Sequence, residues 1–501
     1  MINGAVHNEK AHGTGHNRQC GVNVSDSKTI QYSQILASPR IRGMARLFII
    51  ILGLALVGYA YGNKGFAYIG IAPFYIDSLI VVLAVLVLIL RPRCLRNITD
   101  PTIALLSLFM IWGAARTIPF VAIYGIDALR DSVVWAWGIL ALVVAHLFGQ
   151  GLSLHAAASW YGTTMKWFVA WISLAFPLYI FMGDMLPFWP WGPEEGIPII
   201  IFKGGDVGVQ LAGVIAFYLV TAPAMPRKAT MLPTWVTLPC WLVSFVVAAS
   251  INRGGFLALL IATAFAAYCA RLKRVAVLGL VFGLFVLVGV FSSANDVLPE
   301  YRRGDRAISV EQLSTNIQSI FTDVDNFGGT GTKHWRLEWW NSIIAYTFDG
   351  EYFWTGKGFG INLADDDGFQ VTADRSLRSP HNGHLTILAR MGVPGFVLWI
   401  LFLLTLLSRL WTRHKKWKSL GQDFQAGVCI WTLTFLGAAL INATFDVYLE
   451  GPMGGVWFWS VTGLAIGLIN QLPVAKDAHI HCVMKTHPDV SPANADPFRV
   501  A

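Results

Sequence analysis

Charged residues are scarce in this sequence, and their scarcity argues against a single soluble domain. Asp, Glu, Lys and Arg make up 13% of the 501 residues, whereas a soluble domain usually carries about 25%. Hydrophobic residues make up 55%, and the mean hydropathy is +0.55. One soluble core rarely exceeds roughly 250–300 residues, but a membrane bundle suits this length. The composition therefore predicts one polytopic membrane protein.

Apolar runs of about 20 residues indicate membrane-spanning helices, and the chain has about twelve such runs. They centre near residues 44–62, 70–90, 102–121, 132–149, 165–182, 207–224, 232–250, 255–271, 274–293, 394–411, 426–445 and 454–471. The predicted organisation is a disordered tail, nine spans, one long loop with short helices, three spans and a second tail. Its boundaries are 1–43, 44–293, 294–393, 394–472 and 473–501.

Basic residues cluster next to these runs, and every cluster falls on the same side of the predicted bundle. The clusters include Arg40–Arg46, Arg91–Arg96, Arg227–Lys228, Arg271–Arg274 and Arg409–Lys418. Cytoplasmic loops carry the excess of Lys and Arg, so both tails are predicted to be cytoplasmic and the long loop external. The net charge of +8 thus reflects orientation, and no nucleic acid partner is expected.

Cysteine is also rare, and none of the six residues is suited to a disulfide. Three lie on the predicted cytoplasmic side and three inside predicted spans: Cys20, Cys94, Cys482, then Cys240, Cys269 and Cys429. Disulfides form in oxidising compartments, so no disulfide framework is expected. The chain also lacks a convincing internal repeat, and secondary transporters are typically built from repeats with polar sites near the midplane.

Arginines on the predicted outer side run against the usual bias and call for a reason. Arg253 lies in the short turn Ser250–Gly255, where the alternative is an arginine that reaches toward lipid headgroups. Arg130 also faces outward, with an ion pair to a neighbouring aspartate as the simpler explanation. Asp77 and Arg116 lie within the outer halves of two spans, where charges are costly and often functional. Together they suggest a polar site open to the outer face.

Arg336 gives a sharper argument because of its position on a predicted helix over residues 333–348. At 100° per residue, one broad arc of that helix is apolar. The arc contains Trp335, Leu337, Trp339, Trp340, Ile343, Ile344, Tyr346 and Phe348. Arg336 falls inside the arc, so it is predicted to face a buried partner or an anionic ligand. The alternative is a guanidinium stacked on a tryptophan ring.

His381 follows Pro380 at the start of a predicted helix, Asn382–Arg390, that breaks at Gly392 and Pro394. Neutral imidazole accepts a proton near neutral pH, so His381 is a candidate general base. The alternative is a residue that only caps the helix. His384 lies one turn further on the same face and is the second candidate.

The pattern resembles the O-antigen ligase and O-antigen polymerase superfamily. The resemblance rests on Asn252–Gly255 in an external turn and on Arg336 with Gly356–Gly360 in a long external loop. Its most specific part is His381–Asn382 leading into Gly392–Gly395. It covers most of residues 44–472 and implies an all-α, GT-C-like bundle of the bacterial inner membrane, with the active site facing the periplasm.

The resemblance also implies a metal-independent glycosyltransferase of lipopolysaccharide and polysaccharide biosynthesis that needs no cofactor. It would move a glycan from undecaprenyl diphosphate, among membrane lipids, to a hydroxyl of lipid A core or of a growing polysaccharide. The implied catalytic residues are His381 as base, with Arg336 and Arg253 on the diphosphate. Candidate substrate-binding residues are Arg130, Arg116, Asp77, His384, Gly358 and Gly360.

Several alternatives remain open. The run Asp365–Asp367 is either a metal site or a solvated turn, and the glycines of 356–360 are either a phosphate-binding loop or a tight turn. The chain is either a ligase or a repeat-unit polymerase of the same superfamily. A transporter or flippase, or a membrane scaffold without catalysis, is a third class. The acceptor and the sugar are not visible in the sequence.

Overall fold

The computed structural model describes residues 43–71, 74–91, 99–182, 185–189, 198–225, 233–270, 279, 301–303, 306–308 and 329–471. The predicted tails, 1–43 and 473–501, lie outside this set apart from Gly43. So does nearly all of the predicted ninth span, 274–293, and much of the predicted loop before Gly329. The boundaries predicted for these segments stay predictions.

The described part of the chain is mostly helical, as predicted. The helices are α1 Met44–Ala67, α2 Ile76–Leu90, α3 Pro101–Tyr124, α4 Ile126–Asp131, α5 Val133–Ala136, α6 Gly138–Gly149, α7 Leu154–Met182, α8 Gly204–Ala216, α9 Thr234–Ile251, α10 Arg253–Cys269, α11 Gly329–Phe348, α12 Leu363–Asp366, α13 Gly383–Ser419, α14 Asp423–Ala443 and α15 Pro452–Asn470. Two short antiparallel hairpins are present, β1 Gly70–Ile71 with β2 Phe74–Tyr75 and β3 Tyr301–Arg303 with β4 Arg306–Ile308.

Among the described residues, 6 helices are long and apolar enough to cross a membrane. They are α1, α3, α13, α14, α15 and α8 with its continuation to Ala224. The shorter apolar helices include α2 and α10. A polytopic, all-α membrane protein is therefore confirmed, whereas the predicted number of twelve spans is not.

Helix α15 forms the centre of the bundle because nearly all of its residues are buried. It packs closely against α6. A Cβ atom at Gly463 would lie 2.7 Å from Cβ of Val144, and one at Gly467 would lie 2.9 Å from Cβ of Phe148. Small residues allow membrane helices to approach in this way.

Helix α13 is interrupted where the sequence predicts a break. Gly392 has φ 66° and ψ −174°, a backbone conformation that glycine adopts readily, and Pro394 has no N–H to donate to Arg390. The segment before α12 supplies the missing partners. The N–H groups of Lys357 and Gly358 donate to the carbonyl oxygens of Ala389 and Arg390 at 2.7 and 3.0 Å. The glycine-rich segment thus donates hydrogen bonds to the carbonyl groups that lose their partners where the helix is interrupted.

One end of the bundle is assembled from the first turns of α8 and α10 and the last turn of α14. A Cβ at Gly255 would lie 2.6 Å from Cα of Gly205, and a Cβ at Gly205 would lie 2.5 Å from Oδ1 of Asn442. A side chain at position 255 would overlap with the backbone of Gly205, so this close approach of α10 to α8 requires glycine there. The turn before α10 is consequently held against the start of α8, at the end of the bundle where α13 begins.

Candidate active site

The turn between α14 and α15 brings together residues that are far apart in the sequence. It contains Phe445 and Asp446 and is called the Asp446 turn. The carbonyl oxygen of Phe445 accepts a hydrogen bond from Nη1 of Arg336 at 3.2 Å. The Asp446 carboxylate lies beside His381, with 3.7 Å between Oδ1 and Nδ1. Two adjacent residues of one turn therefore contact two of the three predicted catalytic side chains.

Helix α11 contacts both the turn after α14 and the segment that contains His381, and it does so through one face. Trp340 follows Arg336 by four residues, a spacing that places both side chains on the same side of a helix. The indole Nε1 of Trp340 donates to the carbonyl oxygen of Pro380 at 2.9 Å, directly before His381. Because Arg336 bonds to Phe445, α11 joins the His381 segment to the turn after α14.

The apolar arc predicted for α11 is only partly correct. Trp339 and Ile343 are fully buried, as predicted, but Leu337, Ile344 and Phe348 are exposed. The buried residues pack with the start of α13 and the segment around α12 in a small second core. The predicted arc was too broad because sequence periodicity does not reveal how much of a helix its neighbours cover.

His381 has a backbone conformation that is uncommon for a residue with a side chain. Its φ is 53°, in the left-handed region that costs roughly 1–2 kcal/mol outside glycine. Asn382 caps α13 instead, because its side chain accepts from the N–H groups of His384 and Leu385, both at 3.1 Å. The capping alternative for His381 is therefore wrong.

The ring of His381 is placed so that one nitrogen faces the protein and the other remains available. Its side chain is 31% exposed. Nδ1 points toward Asp446, and within the described part of the chain Nε2 has no hydrogen-bond partner. A carboxylate on one ring nitrogen and an open second nitrogen are the arrangement that a general base needs.

Lys203 and Asp206 complete this cluster, and neither was among the predicted site residues. Nζ of Lys203 lies 3.5 Å from the same Oδ1 of Asp446. The backbone N–H of Lys203 donates to Oδ1 of Asn63 at 3.0 Å. Asp206 lies in the first turn of α8 and is 3% exposed. A signal was present, because both are charged residues at the end of an apolar run that the basic clusters predict to face outward.

Opposite charges keep the Lys203–Asp446 pair ionised despite its burial. Burial raises the pKa of Asp446, but Lys203 and His381 outweigh burial and hold that pKa below its ordinary value. Burial lowers the pKa of Lys203, but Asp446 and Asp206 raise that pKa above its ordinary value. A nearby opposite charge favours the charged form of each group, so the pair stays charged at neutral pH.

Arg253 is the first residue of α10, in the turn that is held beside Phe445. The turn is ordered by Asn252, whose Oδ1 accepts from the N–H of Gly255 at 2.8 Å. A Cβ at Gly254 would lie 2.4 Å from Cβ of Phe445. The backbone at Arg253 therefore lies next to the turn that binds Arg336, and its side chain lies outside what the structure describes.

A second charged cluster is centred on Asp131, at the end of α4. Nη2 of Arg390 lies 3.0 Å from Oδ2 of Asp131, and Nη2 of Arg378 lies 2.9 Å from the same atom. Arg390 is 1% exposed, and its Nη1 donates to the carbonyl oxygens of Gly358 and Ile361, both at 3.2 Å. Sequence reasoning assigned no role to Arg390 or Arg378.

Gly358 and Gly360 belong to this second cluster. The N–H of Gly360 donates to Oδ2 of Asp131 at 3.2 Å. Their φ angles are 82° and 102°, and a Cβ at either position would overlap with the ring of Phe120 or the side chain of Tyr124. The two glycines thus contact the protein itself, as in the tight-turn alternative, and their predicted substrate contact stays a prediction.

The contacts described for the remaining candidates on the predicted outer side involve residues other than those of the turn that contains Asp446. Arg130 pairs with Asp127 at 3.2 Å and Asp131 at 3.7 Å, as its simpler explanation predicts. Nε of Arg116 donates to the carbonyl oxygen of Thr355 at 2.6 Å. Asp77 lies in the first turn of α2 and has no ion pair with a described Lys or Arg side chain. Substrate binding by these three residues stays a prediction.

His384 is engaged by the protein at both ring nitrogens. Nε2 lies 3.1 Å from the carbonyl oxygen of Leu440, and Nδ1 accepts from the indole Nε1 of Trp399, also at 3.1 Å. The carbonyl can only accept, so Nε2 carries the proton. Neither nitrogen is open to a substrate in this arrangement, in contrast to His381.

The acidic run Asp365–Asp367 is bound by the protein. Nζ of Lys357 pairs with both Asp366 and Asp367, and Oδ2 of Asp367 accepts from the indole of Trp339 at 2.6 Å. Among the described residues, no group of three or more His, Cys, Asp or Glu side chains is arranged to hold a metal ion. Asp367 links α11 to the segment around α12 through the bond to Trp339.

Residues 238–400 match the protein family described as O-antigen ligase. The resemblance to the O-antigen ligase and polymerase superfamily is thereby confirmed. No curated protein matches the chain. The matched residues include Arg253, Arg336 and His381, but not Lys203, Asp206 or Asp446.

Proposed function

We propose that this chain, whose residues 238–400 belong to the O-antigen ligase family, transfers a glycan from an undecaprenyl diphosphate carrier to an acceptor hydroxyl. The reaction takes place at the outer face of the bacterial inner membrane. Members of this family act in polysaccharide biosynthesis on lipid-linked glycans. The Asp446 turn and the residues around it are the proposed active site.

Arginine side chains suit the leaving diphosphate. When the bond between the sugar and the diphosphate breaks, the electron pair stays with the phosphate oxygen and negative charge develops there. A guanidinium group can pair with two phosphate oxygens at once. Arg336, fixed by the carbonyl oxygen of Phe445, and Arg253 in the neighbouring turn are the residues that we assign to this charge.

His381 is assigned the proton of the acceptor. Nε2 takes the proton from the acceptor hydroxyl as the oxygen forms its bond to the sugar carbon. The Asp446 carboxylate beside Nδ1 then stabilises the imidazolium ion. A positioned base of this kind typically contributes about 10²–10⁴-fold in rate.

A single observation carries this proposal: one face of α11 contacts both the His381 segment and the turn that contains Asp446. It supports a common site for the phosphate-binding arginine and the base.

The proposed transfer can be tested with purified protein. Purified protein in nanodiscs, given a lipid-linked glycan and lipid A core, should yield the ligated product. A second reaction with only the lipid-linked glycan tests polymerisation, and absence of product in both reactions would contradict the proposal.

The proposed orientation has its own test. Cysteines replace Ser376, which is exposed in the described loop, and Lys416, which is exposed near the end of α13, in a protein whose six native cysteines are serines. An impermeant thiol reagent should label position 376 from outside and position 416 only after the membrane is opened. Labelling of both positions from the same side would contradict the assignment of the site to the outer face.

A further inference from the structure

An apolar cavity lies in the half of the bundle that is far from the Asp446 turn. It is formed between α1, α6, α7, α14 and α15, and its volume is about 360 Å³, within the roughly 300–1,000 Å³ of ligand-binding pockets. The wall residues of α14, Val428 and Trp431, belong to the first half of that helix, whereas the Asp446 turn follows its last residue. The cavity is therefore separate from the proposed active site.

The wall of this cavity suits a hydrocarbon chain. None of the residues that line it carries a charge, and nearly all of the surface that faces it is apolar. The lining of α1 extends from Phe48 to Val57, about 14 Å at 1.5 Å per residue. Two of these lining residues, Ile50 and Leu54, are also exposed on the outside of the bundle. Because α1 is long and apolar enough to cross a membrane, lipid chains surround that side of the cavity.

Arg46 places a positive charge one helical turn from the cavity, on the face of α1 that lines it. At 100° per residue, three lining residues lie within about 40° of it around the helix axis: Ile50, Gly53 and Val57. Arg46 is exposed, and it belongs to the basic cluster that predicts the cytoplasmic end of α1. A guanidinium group pairs with phosphate oxygens, and basic residues beside a span attract anionic lipids of the cytoplasmic leaflet.

We propose that this cavity binds one acyl chain of an anionic phospholipid while Arg46 binds the phosphate of the same molecule. The lipid comes from the leaflet on the side of Arg46, which is the cytoplasmic leaflet in the predicted orientation. A partner helix is about 10–12 Å across and does not fit a cavity of this volume, whereas an extended chain does. The site lies at the opposite end of the bundle from the proposed active site, and it does not depend on the proposed function.

Gly53 offers a way to fill the cavity without straining the bundle. It lies within the α1 lining, and a Cβ there would be 3.7 Å from the ring of Trp160, an ordinary van der Waals contact. Leucine is also more favourable than glycine inside a helix. Gly437 of α14 does not line the cavity, and a Cβ there would meet no described atom within 4 Å. Gly437→Leu is therefore the matched control for Gly53→Leu.

Photo-crosslinking of the whole chain in nanodiscs tests the site. The nanodiscs consist of phosphatidylethanolamine with a small fraction of phosphatidylglycerol or phosphatidylcholine that carries a diazirine in one acyl chain. Phe48 and Leu52 line the cavity and are buried, so crosslinks to them, located by mass spectrometry, report a chain inside it. In wild type, phosphatidylglycerol should label them about fivefold more than phosphatidylcholine, the preference expected from one arginine near the membrane surface. Gly53→Leu should lose this labelling, and Gly437→Leu should keep it.

Arg46→Gln separates the headgroup from the chain. The cavity wall should still be labelled in this variant, but phosphatidylglycerol and phosphatidylcholine should label it equally. Val57→Phe, a second change that fills the cavity, replaces Gly53→Leu if that protein does not accumulate. Labelling of the wall that is as strong in the filled variant as in Gly437→Leu would overturn the inference. Equal labelling by the two lipids in wild type, or none by either, would also overturn it. No glycan transfer is measured, so a failure of the proposed function leaves these outcomes unchanged.

Discussion

The Asp446 and Asp131 clusters contain similar residues but differ in what remains open to a ligand. At Asp131, three arginines pair with one carboxylate, and the guanidinium of Arg390 also bonds to two backbone carbonyl groups. At Asp446, the ring of His381 is 31% exposed, and among the described residues only its Nδ1 has a polar neighbour. The first cluster stabilises the loop, whereas the second is suited to chemistry.

This difference shows why a charge that is predicted to face outward does not by itself identify a functional residue. The positive-inside bias identifies Arg130, Arg253 and Arg336 by the same argument. Their partners distinguish them, because Arg130 pairs with two aspartates while Arg336 bonds to a backbone carbonyl next to Asp446. Which groups each arginine contacts depends on tertiary packing that sequence patterns do not contain.

The largest effect is expected from Arg390→Ala, which disrupts the Asp131 cluster. Removing one partner of a buried ion pair costs about 3–5 kcal/mol, and the carbonyl groups of Gly358 and Ile361 lose their donor as well. The free energy of unfolding should fall by that order, measured by denaturation in detergent. The transfer rate per folded molecule should stay close to wild type. A stable protein that has lost transfer would instead place Arg390 in the active site.

Arg336→Ala tests the Asp446 cluster. It should abolish glycan transfer while leaving folded protein in the membrane. Loss of one group that stabilises developing charge typically costs about 10²–10³-fold in rate. Arg336→Lys should restore little, since an ammonium group cannot form the two-pronged contact. Arg375→Ala, at an exposed position of the same loop, is the matched control. Equal rates in the Arg336 and Arg375 variants would remove Arg336 from the mechanism.

His384→Ala distinguishes the two histidines at the start of α13. Because both ring nitrogens of His384 bond to the protein, the variant should lose about 1–3 kcal/mol of stability from groups left unpaired. Its rate per folded molecule should be unchanged. The measurement pairs thermal unfolding with a transfer assay. An inactive His384→Ala beside an active His381→Ala would reverse the assignment of the base.

The smallest effect is expected from Trp340→Phe, which keeps the ring and removes only the hydrogen bond to Pro380. One such bond is worth about 0.5–1.5 kcal/mol. The rate should therefore fall by up to about tenfold as the His381 segment loosens relative to Arg336. Trp354→Phe, at an exposed tryptophan, is the control. If both variants behave alike, the link through α11 has no part in catalysis.

The positions of many apolar helices and the break in α13 were predictable because apolar runs, Gly392 and Pro394 act locally, whereas their ends were less so: α7 begins at Leu154, not near residue 165. The three catalytic candidates were proposed from motif and orientation, and two of them, Arg336 and His381, contact the same turn. The cluster of Lys203, Asp206 and Asp446 was not predicted, because the start of α8 and the turn after α14 meet only when these helices pack together. The partners of Arg390 depend on the same kind of long-range contact. Periodicity also overestimated the buried face of α11, which its neighbours cover only in part.

The central claim is that His381 acts as the base at a site where Arg336 binds the donor, and one comparison tests it most directly. Donor binding and transfer rate are measured on purified wild type, His381→Asn and His334→Asn, the last at an exposed histidine of α11. His381→Asn should bind the lipid-linked donor as wild type does but transfer its glycan on the order of 10²-fold or more slowly. His334→Asn should match wild type in both measurements. A wild-type transfer rate in His381→Asn would contradict the account.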